Sequence, residues 1–100
     1  MKVIWTNEAL QDTKLIYNYF KLRVSIKVAE SIKNKIFSFV KTLNKQARKG
    51  QVEELLVHKN EEFRYLLIGN YKIIYKIIEK EVFIMKVFDC RCNPKIIKNM

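Results

Sequence analysis

The sequence has few of the residues that interrupt regular structure: it has two glycines and one proline among 100 residues. No segment is rich in Ser or Pro, and 49% of the residues are hydrophobic. Disordered chains show the opposite composition, so the absence of these tracts excludes a disordered protein. A chain of this length is typical of one domain with one core, and we predict a single domain over residues 1–100.

Cysteine and histidine are equally scarce, which argues against several kinds of site. Cys90 and Cys92 are the only cysteines, and residues two apart in a strand point to the same side, which does not favour a disulfide between them. Their spacing also differs from that of a redox pair or a zinc site, and the single His58 completes no ligand cluster. We therefore predict free thiols, no metal and no other cofactor.

Long apolar runs are missing as well. No stretch approaches the length that spans a membrane, and the amino terminus lacks the apolar run of a secretory signal. We expect a cytoplasmic protein that has no membrane partner.

Acidic residues are outnumbered two to one. The chain has 20 Lys and Arg against 10 Asp and Glu, a formal net charge of +10. Such a charge attracts polyanions through long-range steering, which favours RNA, DNA, an acidic protein or a phospholipid surface as a partner. The alternative is that a Lys-rich and Ile-rich composition reflects an AT-rich genome.

The first half of the chain reads as a strand followed by two helices. Lys2 to Trp5 is a short β-forming run, and either Thr6 or Asn7 can cap the helix predicted from Glu8 to about Leu22. Ser25 can cap a second helix. Its apolar stripe consists of Ala29, Ile32, Ile36, Phe39 and Leu43. The short connection between the helices predicts an antiparallel hairpin.

The second half predicts three antiparallel strands, Phe63 to Ile68, Tyr71 to Glu79 and Val82 to Arg91, with turns at Gly69-Asn70 and Lys80-Glu81. Val52 to Val57 is an apolar patch without an assignment. The predicted fold is therefore α+β: a strand, an antiparallel helix hairpin and a three-strand antiparallel meander, with the helices packed on one face of the sheet.

Alternation along the strands separates their side chains onto two faces. We predict that Tyr71, Ile73, Tyr75 and Ile77 lie under the helices. The other face is predicted to be open. It carries Arg64, Lys72, Lys76 and Lys86 among Ile74, Ile78, Ile84 and Phe88. A cationic face with interleaved apolar side chains suits nucleic acid, or a partner that is both anionic and apolar. An ordinary half-solvated face is the alternative.

The order of elements and several short motifs resemble the RelE/ParE superfamily of bacterial toxins. The resemblance covers nearly the whole chain. It includes Trp5, Ala9, Asp12 and Ile16, the Arg64-Tyr65 pair, Gly69-Asn70-Tyr71-Lys72, Tyr75, and Val87-Phe88-Asp89 followed by Arg91, Asn93 and Pro94. It implies a growth-inhibiting toxin of a two-gene type II toxin-antitoxin module, of the kind that stabilises plasmids, neutralised by a cognate antitoxin.

Two mechanisms occur among proteins of this superfamily, and the resemblance leaves both open. RelE-like members cut mRNA on the ribosome, whereas ParE-like members poison DNA gyrase. By position, Arg64, Lys72 and Arg91 match the cationic catalytic places of the nuclease branch, and Lys76 and Lys86 would contact nucleic acid. A catalytically weakened member is also open, and a non-catalytic basic module that binds nucleic acid or protein is the alternative.

The sequence also departs from the nuclease branch. That branch commonly has a Tyr or His shortly after the Arg of the last strand, but Cys92 to Met100 contains neither. Lys72 stands where relatives tend to have Arg, and it lacks the bidentate guanidinium. The carboxylates of the connector, Glu53, Glu54, Glu61 and Glu62, are predicted to be solvated. The acid-base set for RNA cleavage is therefore incomplete.

Overall fold

Strands and helices follow the predicted order in the computed structural model, which describes residues 1–54, 56 and 61–90. The elements are β1 (Lys2–Trp5), α1 (Asn7–Arg23), α2 (Ile26–Lys41), a 3-10 turn (Thr42–Asn44), β2 (Gln51–Val52), β3 (Glu62–Ile68), β4 (Tyr71–Ile78) and β5 (Glu81–Asp89). Within these residues the strands form one sheet in the order β1-β5-β4-β3-β2. β1 pairs in parallel with β5 and the other pairs are antiparallel.

The predicted α+β fold is confirmed, and two edge strands are added to the meander of β3, β4 and β5. The initial strand, β1, lies beside β5. The short β2 overlaps at Val52 with the segment that the sequence left without an assignment. None of the helices among the described residues is long and apolar enough to cross a membrane.

Side-chain caps define where the two helices begin. Thr6 Oγ1 accepts a hydrogen bond from the Ala9 backbone N–H at 3.2 Å and donates to the Ile84 carbonyl at 2.7 Å. Ser25 Oγ accepts from the Val28 N–H at 3.1 Å. These bonds satisfy backbone donors that lack a partner in the first turn of a helix. Thr6, rather than Asn7, caps α1 and also ties it to β5.

The helices cover one face of the sheet and form the main core with it. Its buried members include Ala9, Ile36, Val40, Leu43, Ile73, Tyr75, Ile77, Val82, Ile84 and Val87. The predicted burial of Phe39 is wrong, because its side chain is 47% exposed. Val40 takes the buried position, since it follows Ile36 by four residues where the predicted stripe steps by three.

A β-bulge in β5 changes the predicted alternation. Tyr75 lies opposite Ile84 while the preceding residue, Ile74, lies opposite Lys86, so Met85 is an extra residue in β5. Ile84 and Val87 therefore both join the main core, although they are three residues apart. The placement of Ile84 on the open face was wrong, because one inserted residue reverses the alternation beyond it.

The opposite face of the sheet is partly covered by a second apolar cluster. Leu56, Phe63, Ile74 and Phe88 are buried together, with Tyr65 and Met85 packed against them. Ile74 is fully buried. The prediction of an open face is therefore wrong at its centre, because Leu56 from the connector after β2 packs over it.

Candidate functional site

Arg64 lies on a different face of the sheet from the one predicted. Its Cα partner is Tyr75, and residues opposite each other in an antiparallel pair project to the same side. Arg64 therefore projects toward the helix side, where its guanidinium donates to the Gly50 carbonyl at 2.8 Å and to Glu62 Oε2 at 2.9 Å. The grouping of Arg64 with Lys72 and Lys76 was wrong.

Lys72 lies on the predicted face but is held by a carboxylate. Its Nζ is 2.5 Å from Oε2 of Glu53, whose side chain is 3% exposed. The same ammonium lies 4.2 Å from the centroid of the Tyr65 ring. Glu53 is fixed in turn by its backbone N–H, which donates to the Phe63 carbonyl at 2.9 Å. The expectation that Glu53 is a solvated loop residue is wrong.

Lys76 and Lys86 also pair with carboxylates. Lys76 Nζ is 3.5 Å from Glu61 Oε2, and Lys86 Nζ is 2.9 Å from Glu8 Oε1. The hydrogen bond to Glu8 raises the pKa of Lys86 above its usual value. Arg91, the third predicted catalytic residue, lies outside the described residues. The roles assigned to these five basic residues stay predictions.

The charge of the chain is divided unevenly along the sequence, a feature that the overall net charge does not reveal. Residues 1–50 contain eleven Lys and Arg against three Asp and Glu, a net charge of +8. Residues 51–90 contain six against seven, a net charge of −1. Counting charges by segment would have revealed this division. Residues 51–90, which form four of the five strands, are nearly neutral. The positive excess of the described residues lies in residues 1–50, which we call the helical half.

Asp12 provides a polar contact at the edge of β5. Its Oδ2 accepts a hydrogen bond from the Val87 backbone N–H at 3.0 Å. β1 reaches only to the level of Ile84, so Asp12 takes the place of a further strand residue. Burial raises the pKa of Asp12, and this effect exceeds the lowering by the Val87 hydrogen bond and by Lys86.

The part of the chain that the structure describes contains no set of side chains arranged as metal ligands. No group of three or more His, Cys, Asp or Glu side chains in residues 1–54, 56 and 61–90 is placed to hold an ion. Among the described carboxylates, Glu62, Glu53, Glu61 and Glu8 each contact a Lys or an Arg, and Asp12 contacts a backbone N–H. The chemical effect of these contacts is that the carboxylates offset part of the positive charge of the basic side chains.

Apolar side chains are exposed where the helix hairpin turns. They are Leu15, Tyr19, Leu22, Val24 and Ile26, which are 50–84% exposed. A groove of about 560 Å³ runs below them between α1 and the sheet, lined by residues that include Leu15, Phe20 and Tyr71. Exposed apolar patches of this kind mark interaction surfaces. The signal for this surface in the sequence is the apolar character of residues at solvent-facing helix positions.

Comparisons with known proteins place the chain in a family. The search of curated proteins finds no match. Among solved structures, a chain from the "Chromosomal ParDE TA system from P. aeruginosa" is similar, with a TM-score of 0.76 and 22% sequence identity over 89% of this chain and 95% of that one. The family model described as "ParE toxin of type II toxin-antitoxin system, parDE" matches residues 3–93. The chain therefore belongs to the ParE toxin family of type II toxin-antitoxin systems, within the superfamily that its sequence resembles.

Proposed function

We propose that this protein inhibits growth by poisoning DNA gyrase, without cutting RNA, and that a cognate antitoxin neutralises it. The observation that carries the proposal is the pairing of Arg64, Lys72, Lys76 and Lys86 with carboxylates. Cleavage of RNA by its own 2′-hydroxyl needs a proton acceptor, a proton donor and cations for the charge that develops on the phosphate. Here Lys72, Lys76 and Lys86 each face a carboxylate. Arg64 shares the carboxylate of Glu62 with Arg48.

Binding a phosphate at any of these four side chains would require its ion pair to open. The cost is greatest for Lys72, because its partner Glu53 is buried, and losing one partner of a buried pair costs about 3–5 kcal/mol. The missing Tyr or His after Arg91 points the same way. Family membership adds support, since gyrase poisoning is the activity that the resemblance implies for ParE-like toxins.

The antitoxin part of the proposal rests on the apolar surface at the hairpin turn. Leu22 is 84% exposed and Leu15 is 58% exposed, next to the groove below α1. A free toxin that carries such a surface gains stability when a partner covers it. The partner expected from this chemistry is a chain that presents apolar side chains flanked by acidic ones, since the helical half is strongly positive.

Induction of the chain in a bacterium, with and without the neighbouring reading frame, tests toxicity and neutralisation together. We expect growth to stop when the chain is expressed alone and to recover when the neighbour is co-expressed. Normal growth at a confirmed expression level would contradict the proposal and favour a non-toxic binding module.

Two assays with purified components then separate the mechanisms. We expect loss of gyrase supercoiling activity and accumulation of cleaved plasmid, with no new mRNA ends on translating ribosomes. New mRNA ends that diminish in the Arg64→Ala, Lys72→Ala and Arg91→Ala variants would instead establish the nuclease mechanism.

A further inference from the structure

The outward-facing arc of α2 is made only of polar side chains that can donate hydrogen bonds. At 100° per residue, an arc of about 120° contains six residues. They are Lys27, Ser31, Asn34, Lys35, Ser38 and Lys41, and all six are exposed. No carboxylate lies in this arc. We call these six residues the α2 surface.

The three lysines of the α2 surface differ from the cations of the sheet in having no ion pair among the described residues. The only acid in α2 is Glu30, and it is occupied by Lys33 at 3.2 Å and by the Tyr17 hydroxyl at 3.1 Å. Among the described residues, no carboxylate pairs with Lys27, Lys35 or Lys41, and their ammonium groups face solvent. Their field adds to the +8 net charge of residues 1–50.

The surface continues past the end of the helix. Ser38 and Lys41 line a groove of about 380 Å³ together with Thr42, Asn44, Lys45 and Gln46. Every one of these side chains can donate a hydrogen bond. From Lys27 to Lys41 the helix rises about 21 Å, a length over which one strand of B-DNA carries about six phosphates.

The residue types of the α2 surface indicate which class of anionic partner it suits. Protein interfaces have apolar or aromatic anchors at their centre, and single-stranded nucleic acid is held by aromatic side chains that stack on bases. The six residues of the α2 surface include neither, and the exposed Phe37 and Phe39 lie on its two borders. Lys, Ser and Asn side chains are the ones that contact the phosphates and sugars of a duplex.

We propose that the α2 surface binds the phosphate backbone of duplex DNA without sequence preference. This is a property beyond the proposed action on gyrase, and its test requires no gyrase. The surface shares no residue with the apolar hairpin turn proposed for the antitoxin, although Lys27 directly follows Ile26 of that turn.

Fluorescence anisotropy with a labelled 20-base-pair duplex, at several salt concentrations, tests the proposal. The triple variant Lys27→Gln/Lys35→Gln/Lys41→Gln should show a slope of log K against log salt that is smaller by about 2.7, since each phosphate contact contributes about 0.9. Between 50 and 200 mM salt this corresponds to about a 40-fold smaller loss of affinity. Glutamine retains the helix propensity of lysine.

A matched control separates the surface from net charge. Lys2→Gln/Lys14→Gln/Lys21→Gln removes an equal number of charges from exposed positions elsewhere in the helical half. This variant should keep most of the slope of log K against log salt. Equal losses in both variants, no binding of the wild type at 50 mM salt, or tighter binding to duplex RNA, single-stranded RNA or polyglutamate would each overturn the proposal.

A measurement on the wild type keeps the test independent of how the variants fold. Addition of the duplex should shift amide NMR signals of residues 27–45 more than those of β3, β4 and β5. The largest shifts on the sheet would overturn the proposal.

Discussion

The hydroxyl of Tyr75 and the backbone of Gly50 form a buried link between the centre of the sheet and the connection from the helices. The Gly50 N–H donates to Tyr75 Oη at 3.0 Å, and Oη donates to the Ala47 carbonyl at 2.7 Å. The Tyr75 side chain is fully buried, and burial raises its pKa above the usual range. One hydroxyl therefore fixes the path of the chain before β2.

Removing that hydroxyl should destabilise the protein. Tyr75→Phe leaves a buried N–H and a buried carbonyl without this partner, and each such group lowers the free energy of unfolding by about 1–3 kcal/mol. Urea denaturation measures the loss. Tyr19→Phe is the matched control, because the Tyr19 side chain is half exposed and its change should be within about 0.5 kcal/mol. Equal stability of the two variants would show that the Tyr75 bonds contribute nothing.

A methyl group at position 50 should be nearly as damaging. A Cβ built on Gly50 would lie 2.6 Å from the Tyr65 carbonyl oxygen and 2.9 Å from Tyr75 Cε1, so Gly50→Ala should cost about 1–3 kcal/mol through overpacking. Gly69 provides the comparison, since its surroundings are open but its φ is +58°. Gly69→Asn should cost less, because Asn tolerates this conformation. A larger loss in urea for Gly69→Asn would contradict this assignment.

The fold was largely predictable because its signals are local. The caps of both helices, the turn at Gly69-Asn70 and the Tyr71, Ile73, Tyr75 and Ile77 face follow from short spacings. The second turn lies at Glu79-Lys80, one residue before the predicted Lys80-Glu81, because Glu79 adopts the positive φ and Ile78 pairs with Glu81. The face of Arg64 was predictable too. A two-residue turn at Gly69-Asn70 sets Ile68 opposite Tyr71, and counting back from there sets Arg64 opposite Tyr75.

Other features depended on contacts that no local pattern records. Every residue from Val82 to Met85 is apolar, so the sequence permits a bulge at any of several positions and Met85 is not marked. Glu53 lies in a charged pair with Glu54 and looks solvated, yet it meets Lys72 from 19 residues away. The candidate site was therefore less predictable than the fold, because its charges are decided by partners distant in sequence.

Breaking the Lys72–Glu53 pair should reduce stability even though both residues were expected near a solvent-facing surface. Glu53→Gln or Lys72→Met removes one charge of a pair whose carboxylate is buried, and each should cost about 3–5 kcal/mol. The double variant Glu53→Leu/Lys72→Met should recover much of this loss, since apolar residues can replace a buried pair. A double-mutant cycle in urea gives the coupling energy. Additive losses would argue against a direct pair.

The hydrogen bond from Val87 to Asp12 predicts different effects for two substitutions. Asp12→Ala removes the acceptor and should cost about 1–3 kcal/mol, because the Val87 N–H loses its partner. Asp12→Asn keeps an oxygen acceptor and removes a charge that burial disfavours. It should therefore be at least as stable as the wild type at pH 7. Thermal denaturation compares the two, and equal losses would contradict the role of the acceptor.

The raised pKa of Asp12 also predicts a pH dependence. Its folded pKa lies above the ordinary value of 3.8, so the folded state binds a proton more readily than the unfolded state, and the contribution of Asp12 to stability falls as pH rises through the folded pKa. The lowered pKa of Glu62, caused by Arg48 and then Arg64, acts in the opposite direction. Glu62 is present in both the wild type and Asp12→Asn, so its contribution to the pH dependence cancels when the two are compared. The unfolding free energy of the wild type relative to Asp12→Asn should therefore rise as pH is lowered from 7 toward 4. A flat difference across that range, measured by urea denaturation, would show that the Asp12 carboxylate is not disfavoured by its surroundings.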